Sequence, residues 1–167
     1  TVHRVYSSPL RRCTETAEIL FPHTQICVVD DLRELDFGIF ENKSVDELVK
    51  REDYMKWIKG GKDSRPPQGE SLQELTARTY KALHEIITDM MNDGLTHCAV
   101  ITHGGVISNM LSCYGLPKYN PAELTADFGE GFDAIATAQM WLNSQAIEIL
   151  GYCPYEKIRD ADDFYSI

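Results

Sequence analysis

The sequence predicts an α/β protein, and three observations predict it. Short apolar runs alternate along the chain with segments whose apolar residues recur at helical spacing. Two Ser-x-x-Glu boxes, Ser44-Val45-Asp46-Glu47 and Ser71-Leu72-Gln73-Glu74, mark helix entrances. Two apolar runs, ending at Ser7 and Thr102, pass directly into helix-opening residues, the junction at which open α/β sheets bind ligands.

The elements follow in order. Residues 2–7 read as a strand, and Ser8-Pro9 as a helix N-cap with proline at the first helical position. Leu10, Cys13, Ala17 and Leu20 give that helix a buried face until Pro22 stops it. Residues 25–29 form a short buried strand, and 30–42, with no clean period, a structured loop. The Ser44 box opens a short helix, and a second helix holds residues 54–58. Three glycines and two prolines make 60–69 a loop.

The Ser71 box opens the longest helix, with Leu72, Leu75, Thr79, Leu83, Ile86, Ile87 and Met90 on one face and a stop near Asn92-Asp93-Gly94. Residues 97–102 are a buried strand, followed by His103-Gly104-Gly105 and a helix to about Cys113. Beyond Pro117 the signal weakens. Residues 133–142 and 145–152 read as two strands in a hairpin across Asn143-Ser144, and the last dozen residues as a short helix or tail. With no repeat or linker, residues 1–167 are expected to form a single domain.

Composition narrows the functions. Hydrophobic residues at 43% and charged residues at 25% are ordinary globular values, so fibrous and disordered classes are excluded. Acidic residues outnumber basic ones 26 to 16, for a net charge of −10. Such a surface repels nucleic acid and anionic lipid, so neither is an expected partner. A small anionic substrate requires positive groups concentrated at one place. No run approaches the ~20 apolar residues of a membrane span, and Thr1-Val2-His3-Arg4 does not resemble a signal peptide. Five cysteines, at 13, 27, 98, 113 and 153, are an odd set without C-x-x-C spacing. They are expected to be reduced and buried, with the cytoplasm as the compartment.

The two junctions carry the candidate chemistry. Arg11 and Arg12 fall in the first turn after the first strand, where a cation opposes the helix dipole unless an anion sits there. The glycines beside His103 allow a ligand close to the backbone at a helix N-terminus. Both junctions thus suggest an oxyanion or phosphate pocket. Locally, the arginines also read as solvated surface residues, His103 as a strand-end histidine bonded to backbone, and the glycines as turn formers. Glu34 and Asp36 lie in the apolar-flanked segment Leu32 to Gly38, either as a general acid or as solvated carboxylates. No G-x-S-x-G, P-loop or H-E-x-x-H motif is present. Histidines 3, 23, 84 and 97 have no metal-ligand spacing, so no metal is expected.

Four ordered segments resemble the histidine phosphatase superfamily, in its phosphoglycerate mutase-like branch. Tyr6-Ser7-Ser8-Pro9-Leu10-Arg11-Arg12 through Ala17 is similar to S-S-P-L-x-R-A-x-x-T-A. Leu32-Arg33-Glu34 through Glu41 is similar to L-x-E-x-x-x-G-x-x-E. Pro66-Pro67-Gln68-Gly69-Glu70-Ser71 resembles P-P-x-G-E-S, and Val100-Ile101-Thr102-His103-Gly104-Gly105 resembles V-x-H-G-G. The resemblance implies a three-layer α/β/α fold with a mostly parallel central sheet. It implies that Arg12, rather than Arg11, binds phosphate, that Glu34 protonates the leaving oxygen, and that His103 is the second histidine of the pocket, with Gly104 presenting backbone.

The family's attacking histidine lies in an R-H-G motif on a first strand, and no histidine here follows an arginine. One strand–helix unit, roughly 30–40 residues, is therefore expected before Thr1, its strand central in the sheet. The activity implied is hydrolysis of small phosphomonoesters through a phosphohistidine, with no metal or organic cofactor. The alternatives are a phosphoglycerate mutase and, of another class, a non-catalytic phosphate-binding or protein-interaction module. Only about two dozen residues lie between Glu41 and Pro66, little room for a substrate-covering insertion, which favours a phosphatase. The expected partner is a small phosphorylated substrate, and phosphate or sulfate is expected to fit the same site.

Overall fold

The computed structural model describes residues 1–154. Strand β1 (Arg4–Ser7) leads into α1 (Arg11–Leu20), then β2 (Ile26–Val28), and two 3₁₀ turns at Asp30–Leu32 and Gly38–Phe40. Helices α2 (Val45–Leu48), α3 (Glu52–Lys59) and α4 (Leu72–Asp93) follow, then β3 (Cys98–Ile101) and α5 (Gly104–Tyr114). The remainder holds β4 (Gly115–Leu116), β5 (Gly131–Ile135), α6 (Ala138–Ser144) and β6 (Ile147–Cys153).

The first three strands form a parallel sheet in the order β2-β1-β3. The fold is three-layered because successive residues of a strand face opposite ways. Tyr6 faces α4, its hydroxyl 3.3 Å from Asp89, and joins a core with Leu75, Leu83, Val106 and Met110 of α4 and α5. Val5, fully buried, therefore faces the other way, and α1 packs across the three strands with Cys13 and Ala17 buried. A second sheet, β4-β6-β5, pairs β4 parallel and β5 antiparallel to β6.

Both Ser-x-x-Glu boxes cap as their chemistry requires. Ser44 Oγ accepts from Glu47 N–H and Ser71 Oγ from Glu74 N–H, and each glutamate accepts from its serine's N–H. Helix α4 closes on Gly94 in the left-handed region, φ 63°.

Four expectations are corrected. Helix α1 starts at Arg11, after Leu10, without a side-chain cap. Ser8 does not cap it because its hydroxyl is engaged by His103 and by Leu10 N–H. The hairpin across residues 143–144 is absent. Residues 138–144 are α6, whose cap Thr137 accepts from Met140 N–H at 3.0 Å and whose end is set by Gln145 at φ 48°. Strands β5 and β6 are antiparallel partners, but a helix joins them. Apolar residues are also less covered than their spacing suggests: Leu20, Leu72 and Val100 are exposed. Of the cysteines, all free, Cys13 is buried, Cys27 and Cys98 are half-buried, and Cys113 and Cys153 are exposed. The expected C-terminal helix or tail lies outside the described residues.

Candidate active site

Strand register assembles the site. Ser7 of β1 stands level with Val28 of β2 and Ile101 of β3, so the carboxyl ends of three strands share one edge of the sheet. The chain leaves β1 for one neighbour, β2, and returns on the other side as β3. Ligands bind in α/β sheets at such a reversal. Arg12, Glu34 and His103 each lie within a few residues of one of these strand ends.

Arg12 NH2 lies 3.0 Å from His103 Nδ1, and His103 Nε2 lies 2.8 Å from Ser8 Oγ. A guanidinium only donates, so Nδ1 is the acceptor and the neutral ring carries its proton on Nε2, donating to Ser8. Ser8 Oγ also accepts from Leu10 N–H at 3.3 Å. Burial pushes the His103 imidazole below its usual pKa, and the Arg12 charge pushes the same way, against an opposing pull from Glu34. The Cys13 sulfur packs against the ring, 3.6 Å from Nε2. Burial pushes that thiol up, partly offset by Ser8 and Arg12.

Glu34 reaches the N-terminus of α5. Its Oε2 accepts from Gly105 N–H at 3.1 Å and its Oε1 from Leu35 N–H at 2.9 Å. A Cβ on residue 105 would lie 2.5 Å from Glu34 Oε1, whereas one on residue 104 would make only an ordinary 3.5 Å contact with Ala126 O. The steric need for glycine therefore falls on Gly105, while Gly104 is the exposed first residue of the helix.

Arg11 is elsewhere: its side chain is 90% exposed and paired with Glu15. Asp36 accepts from Gly38 N–H at 2.8 Å, closing its own turn. Sequence reasoning took Ser8 for a helix cap and, of the two glycines beside His103, chose Gly104 rather than Gly105. Among the described residues, no group of three or more His, Cys, Asp or Glu is arranged to hold a metal ion.

A basic group, a buried neutral imidazole and a carboxyl group thus meet at the start of α5, a helix end whose dipole also favours an anion. The four motifs that supply this arrangement lie in the part of the chain, residues 1–126, that matches the model of the histidine phosphatase superfamily (branch 1). The chain belongs to that superfamily. A relative, the probable phosphoglycerate mutase GpmB of Klebsiella pneumoniae, is 33% identical over 123 residues, covering 71% of this chain and 56% of its own length. The chain thus spans little more than half the length of the curated relatives it matches. The α-ribazole phosphatase of Shigella flexneri superposes with a TM-score of 0.71 at 19% identity, over 90% of this chain and 73% of that one. A phosphoglycerate mutase from Bacillus anthracis superposes at 0.57 with 22% identity, over 75% and 63%. The fold is phosphoglycerate mutase-like.

Proposed function

We propose that the protein is a phosphatase that hydrolyses small phosphomonoesters through a phosphohistidine, with the attacking histidine on a segment preceding Thr1. The observation that carries this reading is the meeting of Arg12, His103 and Glu34 at one strand-end edge, through contacts of 3.0 and 3.1 Å. Arg12 binds the phosphoryl oxygens, His103 turns its Nε2–H from Ser8 Oγ to them, and the N-terminus of α5, opened by Gly104, adds backbone donors. The histidine nitrogen attacks phosphorus, the ester P–O bond breaks, and Glu34 gives its proton to the departing alkoxide. Water then displaces the histidine, and Glu34 takes back a proton. Catalysis of this kind is positioning and charge stabilisation.

Among the described residues β3 is paired on one side only, which supports a preceding strand. Ile101 gives its carbonyl to Ser8 N–H, so Val100, the alternate residue, turns its backbone groups away from β1, and the residue is 39% exposed. An all-apolar strand such as Cys98-Ala99-Val100-Ile101 suits a covered position rather than an edge. The protein is read as cytoplasmic, where its five unpaired cysteines stay reduced. No helix of the described residues is long and apolar enough to cross a membrane. The residues are read as one domain.

The test uses the full-length protein with an alkyl phosphate and an activated aryl phosphate. Glu34→Gln is expected to cut kcat/KM strongly for the alkyl ester and much less for the aryl ester, whose phenolate leaves without a proton. Arg12→Ala is expected to lower both by ~10²-fold, since a charge-assisted phosphate contact is worth about 3 kcal/mol, and Arg11→Ala to change little. Equal ratios for the two esters in Glu34→Gln would remove Glu34 as the acid. Equal effects at Arg11 and Arg12 would overturn the phosphate assignment. The mutase reading is favoured by the name of the 33%-identical relative. It predicts interconversion of 2- and 3-phosphoglycerate in place of phosphate release.

A further inference from the structure

We propose that Arg78 is a positioning residue that holds Glu34 in its proton-donating place. This rests on the reading of Glu34 given above. Arg78 projects from the second turn of α4, and its guanidinium makes five hydrogen bonds with its five N–H donors. Two go to Glu70 as a bidentate pair, Nε to Oε1 at 2.9 Å and NH2 to Oε2 at 2.8 Å. The other three go to backbone carbonyls of one loop: Asp31 at 2.8 Å, Arg33 at 2.7 Å and Glu34 itself at 3.4 Å. Glu70 grips the same loop from its far side. Its backbone N–H donates to Asp36 O at 2.9 Å, and its Oε2 accepts from Asp36 N–H at 3.3 Å.

Glu34 is therefore bracketed on both sides, with its neighbours Leu32 and Leu35 buried. Burial raises the Glu70 carboxyl, but the Arg78 hydrogen bonds and charge outweigh it, so the pair stays ionised. The acid loop is also interlocked with residues 66–69, where Ile39 N–H donates to Pro67 O at 3.0 Å. Gly38, at φ 54°, lies so close that a Cβ there would meet Pro67 O at 2.0 Å. A loop stitched in this way is a rigid platform rather than a lid. A proton donor needs such a platform, since a small misplacement from the leaving oxygen costs rate steeply. Lysine cannot replace the clamp, because three donors on a point charge cannot make a bidentate pair and reach three carbonyls.

The experiment is a double-mutant cycle on the full-length protein, with alkyl and aryl phosphates and with inorganic phosphate as competitive inhibitor. Arg78→Lys is expected to lower kcat for the alkyl ester by ~10- to 10²-fold, to lower that for the aryl ester no more than about threefold, and to leave phosphate inhibition unmoved. Added to Glu34→Gln, it is expected to cost the alkyl ester little more. Equal losses for the two esters, additive losses, or weakened phosphate inhibition would overturn the proposal, leaving Arg78 as a fold-stabilising or phosphate-binding residue. If Glu34→Gln itself shows no leaving-group dependence, the reading of Glu34 fails and the positioning role fails with it. That outcome is distinct from a selective Glu34→Gln beside an unselective Arg78→Lys. Should Arg78→Lys fold poorly, Glu70→Gln, which keeps the side-chain shape, is expected to show the same selectivity more weakly, and an unselective Glu70→Gln overturns the clamp.

Discussion

At the scale of residues, His103 shows how one buried side chain ties stability to pH. It is buried at 6% exposure with Nδ1 held by Arg12 and Nε2 by Ser8, and Arg12, Cys13, Ser8, Glu34 and Arg78 are the groups that act on it. Burial first, then Arg12, depresses its pKa below the usual 6.5. Below pH 6.5 the unfolded chain therefore takes up a proton that the folded protein still refuses. Stability falls as the pH drops through that window, and levels off once the folded protein also protonates. One proton limits the slope to about 1.4 kcal/mol per pH unit. Denaturant unfolding of the wild type and of His103→Asn between pH 7.5 and 5 is expected to show this slope only in the wild type. An unchanged slope in the variant would assign it to another group. Glu70, Asp53 and Glu47, whose carboxyls are lowered, act separately, losing their contributions as the pH falls through the carboxylate range.

At the scale of elements, what was legible in the sequence is what short-range chemistry decides. Ser71 and Ser44 announced their helices because a serine hydroxyl and a glutamate three residues on satisfy each other's backbone whatever lies beyond. Arg12 was told from Arg11 by the family resemblance alone; in the fold Arg12 turns to His103 and Arg11 to Glu15. Helix α6 was illegible because Ile135-Ala136-Thr137-Ala138-Gln139-Met140 reads equally as strand alternation. Seven residues are also too few for a helical period to emerge, and Trp141, buried at 1% exposure, is held by the core and by His84, which accepts its indole N–H at 3.1 Å. Arg78 was illegible because its partners lie 8 and 44–47 residues away. The same contrast predicts stability. Ser71, 3% exposed, caps the 22-residue α4, so Ser71→Ala is expected to cost ~1–2 kcal/mol. Ser44 caps the exposed four-residue α2, so Ser44→Ala is expected to cost only a few tenths. Chemical denaturation measures both, and equal costs would show that the caps act independently of the packing of the helices they start.

At the scale of the whole molecule, the two sheets pose one question, which is what stands beside β3. Strand β1 is paired on both sides and buried, whereas β3 is bonded on one side only among the described residues. Its four residues are all apolar, yet none reaches the burial of Val5 or Tyr6. A net charge of −10 keeps such an edge from ready pairing between copies, so a strand of the same polypeptide is the favoured neighbour. The amide of Val100 reports on this directly, because it faces away from β1, whereas the Ser8 amide already bonds to Ile101 O. Hydrogen exchange is expected to be fast at Val100 in the 167-residue chain. In the full-length protein it is expected to slow by ~10²-fold or more, as an interior ladder bond adds protection well above that of a solvent-facing edge. The Ser8 amide, protected in both, serves as the internal control. If Val100 exchanges equally fast in the full-length protein while Ser8 stays protected, no strand lies against β3. The attacking histidine would then have to reach Arg12 and His103 by some other route.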